Sequence, residues 1–245
     1  LSSSFKLNKD VFGFPIQWNP KNPRWQNYVD IWTQIPLLTF VKNTVKITVV
    51  VTLLQLFTSS FAAYAFAKMQ FKGKNALFLG YIATIAVPWQ AYMVPQFMMM
   101  SSWHLNNTHL AIMCLQAFSA FGVFLMKQFY EGVPTELCEA ARIDGLSEYG
   151  IWWHIMLPLS LPALSTLTIF TFVNTWNDFL GPLIYLTKTE LKTIQIGLRM
   201  FITQYSAEYG LIMAASVVAL IPVLIVFLSL QKYFVQGVAS TGIKG

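Results

Sequence analysis

Two groups of side chains in this 245-residue chain have types and spacings suited to specific chemistry. The first is polar residues set inside apolar runs. Trp89, Gln90 and Tyr92 follow Pro88, and Asn174, Trp176, Asn177 and Asp178 stand close together. Polar groups at such positions are costly in a bilayer and mark binding sites or pathways. Aromatic faces laid on C–H surfaces, with amides and a carboxylate facing hydroxyls, are the ingredients of a carbohydrate site. The same residues also serve as interhelical hydrogen bonds or interfacial anchors, and the sequence leaves both readings open. The second group is a charged segment, EAARIDGLSEYGIWWHIMLP (139–158), lying between two long apolar runs.

Bond-making chemistry finds no footing. No G-x-S-x-G nucleophile motif and no G-x-x-x-x-G-K-[ST] phosphate loop occurs, so no catalytic residue is assigned and any nucleotide belongs to a partner. Cys114 and Cys138 have neither the spacing of a disulfide framework nor the neighbours of a metal site, and no metal ligand is assigned. His104 and His109 read as solvated residues of a short loop.

The elements that hold these groups are membrane helices. Hydrophobic residues make up 56% of the chain and charged residues 11%, against about 25% charged in soluble domains. The net charge of +6 on so apolar a chain reads as membrane topology and headgroup contact, not nucleic-acid binding. A spanning helix needs about 20 apolar residues. The charge-free runs accommodate spans near 45–67, 76–99, 110–129, 148–178 (continuing to about 186) and 208–232. The runs are continuous rather than alternating, which excludes a β-barrel. The short loop 68–75 carries Lys68, Lys72 and Lys74 without an acid, whereas 101–109 has no Lys or Arg. By the positive-inside rule 68–75 is cytoplasmic, together with 127–150 and the C-terminus. Residues 1–36, 101–109 and 188–206 then lie outside.

The 139–158 segment reads as a bent pair of short helices projecting into water. Pro134 suits a first helical turn, and Glu136 and Glu139 sit at the favourable end of the helix dipole. Gly145 is a left-handed stop. Leu137, Ala140, Ala141 and Asp144 share one face, where small side chains let another backbone approach. Ser147 starts a second helix, and Leu157-Pro158 ends it. A competing reading is an amphipathic helix on the bilayer surface, held by the pair Glu139 and Arg142.

The full spacing, Glu139-Ala140-Ala141, three residues, Gly145, nine residues, Ile155-x-Leu157-Pro158, resembles the EAA signature of permease subunits in ATP-binding-cassette importers. Such a match arises by chance on the order of once in 10⁸ windows. NTWNDFLGPLIYL (174–186), TIQIGL (193–198) and QKYFVQGVASTGIKG (231–245) resemble the sugar-transport branch, in particular the maltose-transporter-type second permease. LSSSFK at the start does so too, where the family places it directly after a first helix. The resemblance implies an all-α integral membrane fold, the type I importer transmembrane domain, with five helices here and the N-terminal one missing. It divides the chain into an extracytoplasmic loop 1–36, a permease domain 37–236 with cytoplasmic coupling helices at 134–156, and a cytoplasmic tail 237–245.

The resemblance also implies partners: a second permease forming a heterodimer, two ATPase subunits carrying ATP and Mg, an extracytoplasmic sugar-binding protein, and the lipid bilayer of the cell membrane. This chain itself would bind no cofactor. Glu139 becomes the anchor on the ATPase, Ala140 and Ala141 the close-contact surface, Gly145 the bend, and Arg142 and Asp144 salt-bridge donors and acceptors. Leu157 and Pro158 complete the signature. Gly237, Ser240 and Lys244 become contacts of the tail with the ATPase interface, where composition alone reads a frayed end. The cargo is a sugar or oligosaccharide; the alternative is another solute, such as a glycerol phosphate ester, on the same architecture. A membrane-embedded enzyme or a proton-coupled carrier would need a catalytic constellation or mid-membrane charges, and neither is present.

Overall fold

The computed structural model describes residues 1–15, 17–202 and 207–241, with side chains from 234 onward outside the description. Among the described residues the chain is helical, its single β contact an isolated bridge between Ile202 and Ala207. Fourteen α-helices follow in order: α1 (Asn8–Val11), α2 (Gln26–Thr33), α3 (Leu37–Lys68), α4 (Lys74–Ala83), α5 (Met93–Ser102), α6 (His109–Leu115) and α7 (Ala120–Glu131). They continue with α8 (Glu136–Ile143), α9 (Glu148–Ile151), α10 (Leu157–Leu159), α11 (Leu161–Trp176), α12 (Leu180–Tyr185), α13 (Ile194–Met200) and α14 (Tyr209–Thr241).

Two of these, α3 and the Tyr209–Tyr233 part of α14, are each long and apolar enough to cross a bilayer unaided. The other expected spans are broken. The run 76–99 is interrupted between Ala83 and Met93 by two 3-10 turns around Pro88. Proline removes a helical hydrogen bond and disfavours helix for the residue before it, which accounts for the break. Helices α6 and α7 meet at 43°, and Glu148–Leu159 meets α11 at 80°. The second bend falls at Ser160 rather than at Leu157-Pro158, where the sequence reading ends the helix.

Helix α3 is the centre of the bundle and packs against α7, α11 and α13, while α11 also packs on α14. The approach of α7 is close because Gly122 faces Ser59 of α3, where a Cβ would collide with the Ser59 hydroxyl. Three cores result. One joins α2, the start of α3, α11, α13 and α14 around Phe40, Phe172 and Trp176. A second joins the end of α3 to α7 and the 134–159 helices around Tyr64, Tyr130 and Trp152. A third gathers Ile47, Val51, Met100, Ile112 and Tyr185. His109 lies buried at the start of α6 and bonds the Leu191 carbonyl at 2.9 Å, so the expectation of a solvated loop residue is corrected.

Candidate functional site

The 134–159 segment is a compact bracket. Thr135 is the N-cap of α8, and Pro134 stands outside the helix, two residues before Glu136 rather than in the first turn as the sequence suggests. At the other end Gly145 has φ +84°, its N–H donates to the Arg142 carbonyl and that of Leu146 to the Ala141 carbonyl, both at 3.0 Å. This is a Schellman stop, which needs a left-handed residue at Gly145. Ser147 caps α9 by accepting from the Gly150 N–H at 3.2 Å. A π-turn at Trp152–Met156 then seats Trp152 in the core between Phe57 and Phe61 of α3, at ring separations of 5.5 and 5.2 Å. Leu157 is half-buried against that core, and Pro158 is exposed.

The face of α8 differs from the expected one. Cys138 and Ala141 are buried, with the Cys138 thiol 3.8 Å from Met156 sulfur. Leu137, Glu139, Ala140, Ile143 and Asp144 are exposed, Ile143 at 87%. Ala141 is therefore part of this chain's own packing, and the open surface is Leu137, Ala140 and Ile143 framed by Glu139 and Asp144. Among the described residues Glu139 has no ion-pair partner.

Arg142 is also corrected. It turns inward and grips Glu148 in a two-pronged contact, Nε to Oε1 at 2.6 Å and Nη2 to Oε2 at 3.2 Å. The Tyr64 hydroxyl of α3 donates to the same carboxylate at 2.5 Å. The Arg142 guanidinium, with help from Tyr64, holds the Glu148 carboxyl below the usual carboxylate range, and the pairing raises Arg142 further. Forked arginine–carboxylate contacts fix orientation as well as adding energy.

A cavity of about 630 Å³ opens where α6 breaks from α7. The break frees the carbonyls of Gln116 and Ala117, and α3 supplies donors: Gln55 Nε2 to Gln116 O at 2.7 Å and Thr58 Oγ1 to Ala117 O at 2.8 Å. Non-helical backbone at membrane depth persists only where such partners or a cavity satisfy it. Gln55 Oε1 accepts from Thr171 at 2.9 Å, and Gln116 Nε2 donates to Asp178 at 2.7 Å. Asp178 in turn accepts from the Gly181 N–H at 3.1 Å, capping α12.

Of the residues singled out from sequence, Trp89, Tyr92, Asn174 and Asp178 line this cavity together. Three others do not. Trp176 is 1% exposed, stacked on Phe172, and donates to the Ala219 carbonyl of α14 at 2.9 Å. Asn177 faces away, bonding Gln195 at 3.1 Å, and Gln90 is an exposed residue of the 3-10 turn outside the lining. Neighbouring side chains on a helix point about 100° apart, so adjacency in sequence could not place Asn174 and Trp176 on one face. Gln55 and Gln116 were missed, although each is an isolated amide in an apolar run, the signal that singled out the others. Gly237 and Ser240 lie on the α14 backbone with side chains outside the description, and Lys244 lies outside the described residues altogether.

The fold that carries the bracket and the cavity matches a known architecture. Residues 55–240 match the model of the family described as binding-protein-dependent transport system inner membrane component. The chain belongs to this family. It is a multi-pass permease component of ATP-binding-cassette importers, not an enzyme, and such components work with a partner permease, an ATPase and a binding protein. The arabinooligosaccharides transport system permease protein AraQ of Halalkalibacterium halodurans is 37% identical over 99% of this chain and 88% of its own length. The lactose transport system permease protein LacG of Rhizobium radiobacter is 36% identical over 87% of this chain and 78% of its own length. The crystal structure of a bacterial ABC transporter involved in the import of the acidic polysaccharide alginate contains a chain with TM-score 0.84 at 25% identity, covering 95% of this chain and 88% of that one.

Proposed function

We propose that this chain is one of two permease subunits, paired as a heterodimer, in an ATP-driven importer of a neutral sugar or oligosaccharide. Two ATPase subunits bind ATP and Mg in the cytoplasm and grip the exposed face of α8, with Glu139 as polar anchor and Ala140 as the point of close approach. Their opening and closing switches the permease pair between outward and inward access. An extracytoplasmic binding protein delivers the sugar, and the C-terminus lies in the cytoplasm, where Gly237, Ser240 and Lys244 reach the ATPases.

The observation that carries this reading is the bracket: an EAA helix with a Schellman stop, anchored by Trp152 and presenting Leu137, Ala140 and Ile143 outward. A sugar cargo is supported by relatives named for arabino-oligosaccharides and lactose and by a cavity of aromatic, amide and hydroxyl groups. A second reading, a glycerol-containing solute, has support from a 30% identical relative named for sulfoquinovosyl glycerol transport. A phosphate ester fits less well, because among the described residues no Lys, Arg or His stands in the cavity wall.

The test is the reconstituted complex with Glu139→Gln and Gly145→Ala variants, measuring ATP hydrolysis and uptake in the same vesicles. Parallel loss of sugar-stimulated hydrolysis and uptake in an assembled complex is the expected result. Wild-type values in both variants would remove the role given to the bracket. Uptake of an anionic glycerol ester in preference to neutral oligosaccharides would replace the cargo.

A further inference from the structure

We infer that α3 is the strut that carries movement of the 134–159 bracket to the cavity, and that Tyr64, Glu148 and Arg142 are the positioning residues fastening the bracket to it. This rests on the reading of α8 as the ATPase contact, and adds how displacement leaves it.

Three observations converge. First, α3 runs unbroken from Leu37 to Lys68, while the apolar runs containing α4–α5, α6–α7 and α10–α11 are interrupted. A broken helix absorbs displacement at its break, whereas a continuous one moves as a unit. Second, a single carboxylate ties three segments. Glu148 at the start of α9 receives Tyr64 of α3 and the forked Arg142 of α8. Phe57 and Phe61, on the same helix, hold Trp152 of the same bracket. Third, the same α3 carries Gln55 and Thr58, whose side chains hold the carbonyls freed at the α6–α7 break, and Gln55 also receives Thr171 of α11. From Gln55 to Tyr64 is roughly 14 Å along a helix axis.

The two sets of bonds thus sit on one rigid element, one at the bracket and one at the cavity wall. Between them Gly122 presses α7 against Ser59, leaving no slack for α3 to slip past α7. Close-packed helices of this kind shift as bodies rather than deform. The Glu148 contact is half-exposed, with side-chain exposures of 35% and 39%, so its energetic contribution is small and its effect is directional. A competing route exists along the chain itself, through the 80° bend at Ser160 into α11.

The experiment uses the full complex with its partner subunits and follows a distance rather than cargo. Cys114, exposed and two residues before the cavity-lining Gln116, takes one spin label, and Val87→Cys, exposed and two residues before the cavity-lining Trp89, takes the other; Cys138 is buried. Electron–electron distances are recorded with and without ATP-vanadate, alongside ATP hydrolysis, for Tyr64→Phe, Glu148→Gln, and the exchange Arg142→Glu with Glu148→Arg. The expected result is that both single variants hydrolyse ATP but lose the nucleotide-dependent distance change, or need about tenfold more binding protein to show it. The exchange restores it in part. Should Glu148→Gln fail to assemble, Tyr64→Phe, which removes one hydroxyl and keeps the ring, decides alone. A normal distance change in Tyr64→Phe overturns the strut. If Glu139→Gln abolishes the change in that same series, the route is the Ser160 bend and the bracket reading stands. If Glu139→Gln also leaves it intact, the bracket reading falls as well.

Discussion

The α6–α7 break and the bend at Ser160 solve the same problem in opposite ways. Both interrupt a membrane run and release backbone carbonyls. At Ser160 the repair is local: its N–H donates to the Met156 and Leu157 carbonyls at 3.1 and 3.2 Å, and its hydroxyl donates to Leu157 O at 2.9 Å. At Gln116 and Ala117 the repair comes from α3, through Gln55 and Thr58. A self-sufficient bend needs no neighbour to complete it, so it can flex without disturbing the rest of the bundle. A break that borrows its donors from another helix is sensitive to where that helix stands. The first is a joint, and the second is a wall whose shape depends on a neighbour.

The contrast can be broken most severely at the bracket. Trp152→Ala removes the side chain that seats the bracket on α3 and is expected to cost about 3–5 kcal/mol, seen as a large fall in thermal stability in detergent and in membrane accumulation. If stability hardly changes, the bracket is not welded to the core. At the cavity, Gln116→Leu strands Asp178 and Thr175 and is expected to cost about 1–3 kcal/mol while lowering uptake. An unchanged uptake rate would mean the borrowed repair is dispensable. Gly145→Ala meets no neighbour, so its cost is the left-handed backbone alone, about 1–2 kcal/mol, measured as faster amide exchange at Gly145 and Leu146.

The smallest effect concerns pH. Glu148 is held below its ordinary value by Arg142, so the contact's contribution is fully present above the unfolded glutamate range and is lost as pH falls through the lowered value. Protection of α8 from proteolysis is therefore expected to be flat between about pH 6 and 8 and to decline only in acid, within the ~0–1 kcal/mol of half-exposed pairs. Glu148→Gln should remove that acid limb. A transition near neutrality would point to another group.

Much of the bracket was legible because its signals are local. The glycine stop at Gly145, the Ser147 cap and the spacing to Leu157 each depend on residues a turn or two away. The inward turn of Ala141 and Arg142 was not legible, since it depends on Met156, Glu148 and Tyr64 meeting there, the last from a distant helix. The same holds at the cavity. Nothing near Gln116 in sequence shows that Gln55 of α3 satisfies the carbonyl freed at the α6–α7 break. Trp176 was misplaced for the converse reason, its partner Ala219 lying far along the chain.

The length of α3 has a further consequence. Its charge-free part after Lys46 is roughly 31 Å long and matches the hydrocarbon core of a bilayer. The portion from Leu37 to Lys46 adds roughly 15 Å beyond it. That extension holds the 190–194 segment: Asn43 donates to the carbonyls of Glu190 and Lys192 at 2.8 and 2.9 Å, and Thr44 accepts from the Ile194 N–H at 2.9 Å. A thinner membrane relieves hydrophobic mismatch by tilting such a helix, at fractions of a kcal/mol per Å. Tilt here is leverage, swinging the 190–194 segment and the Tyr64 end in opposite directions. The lipid thickness of the host membrane thereby becomes a mechanical input to this subunit.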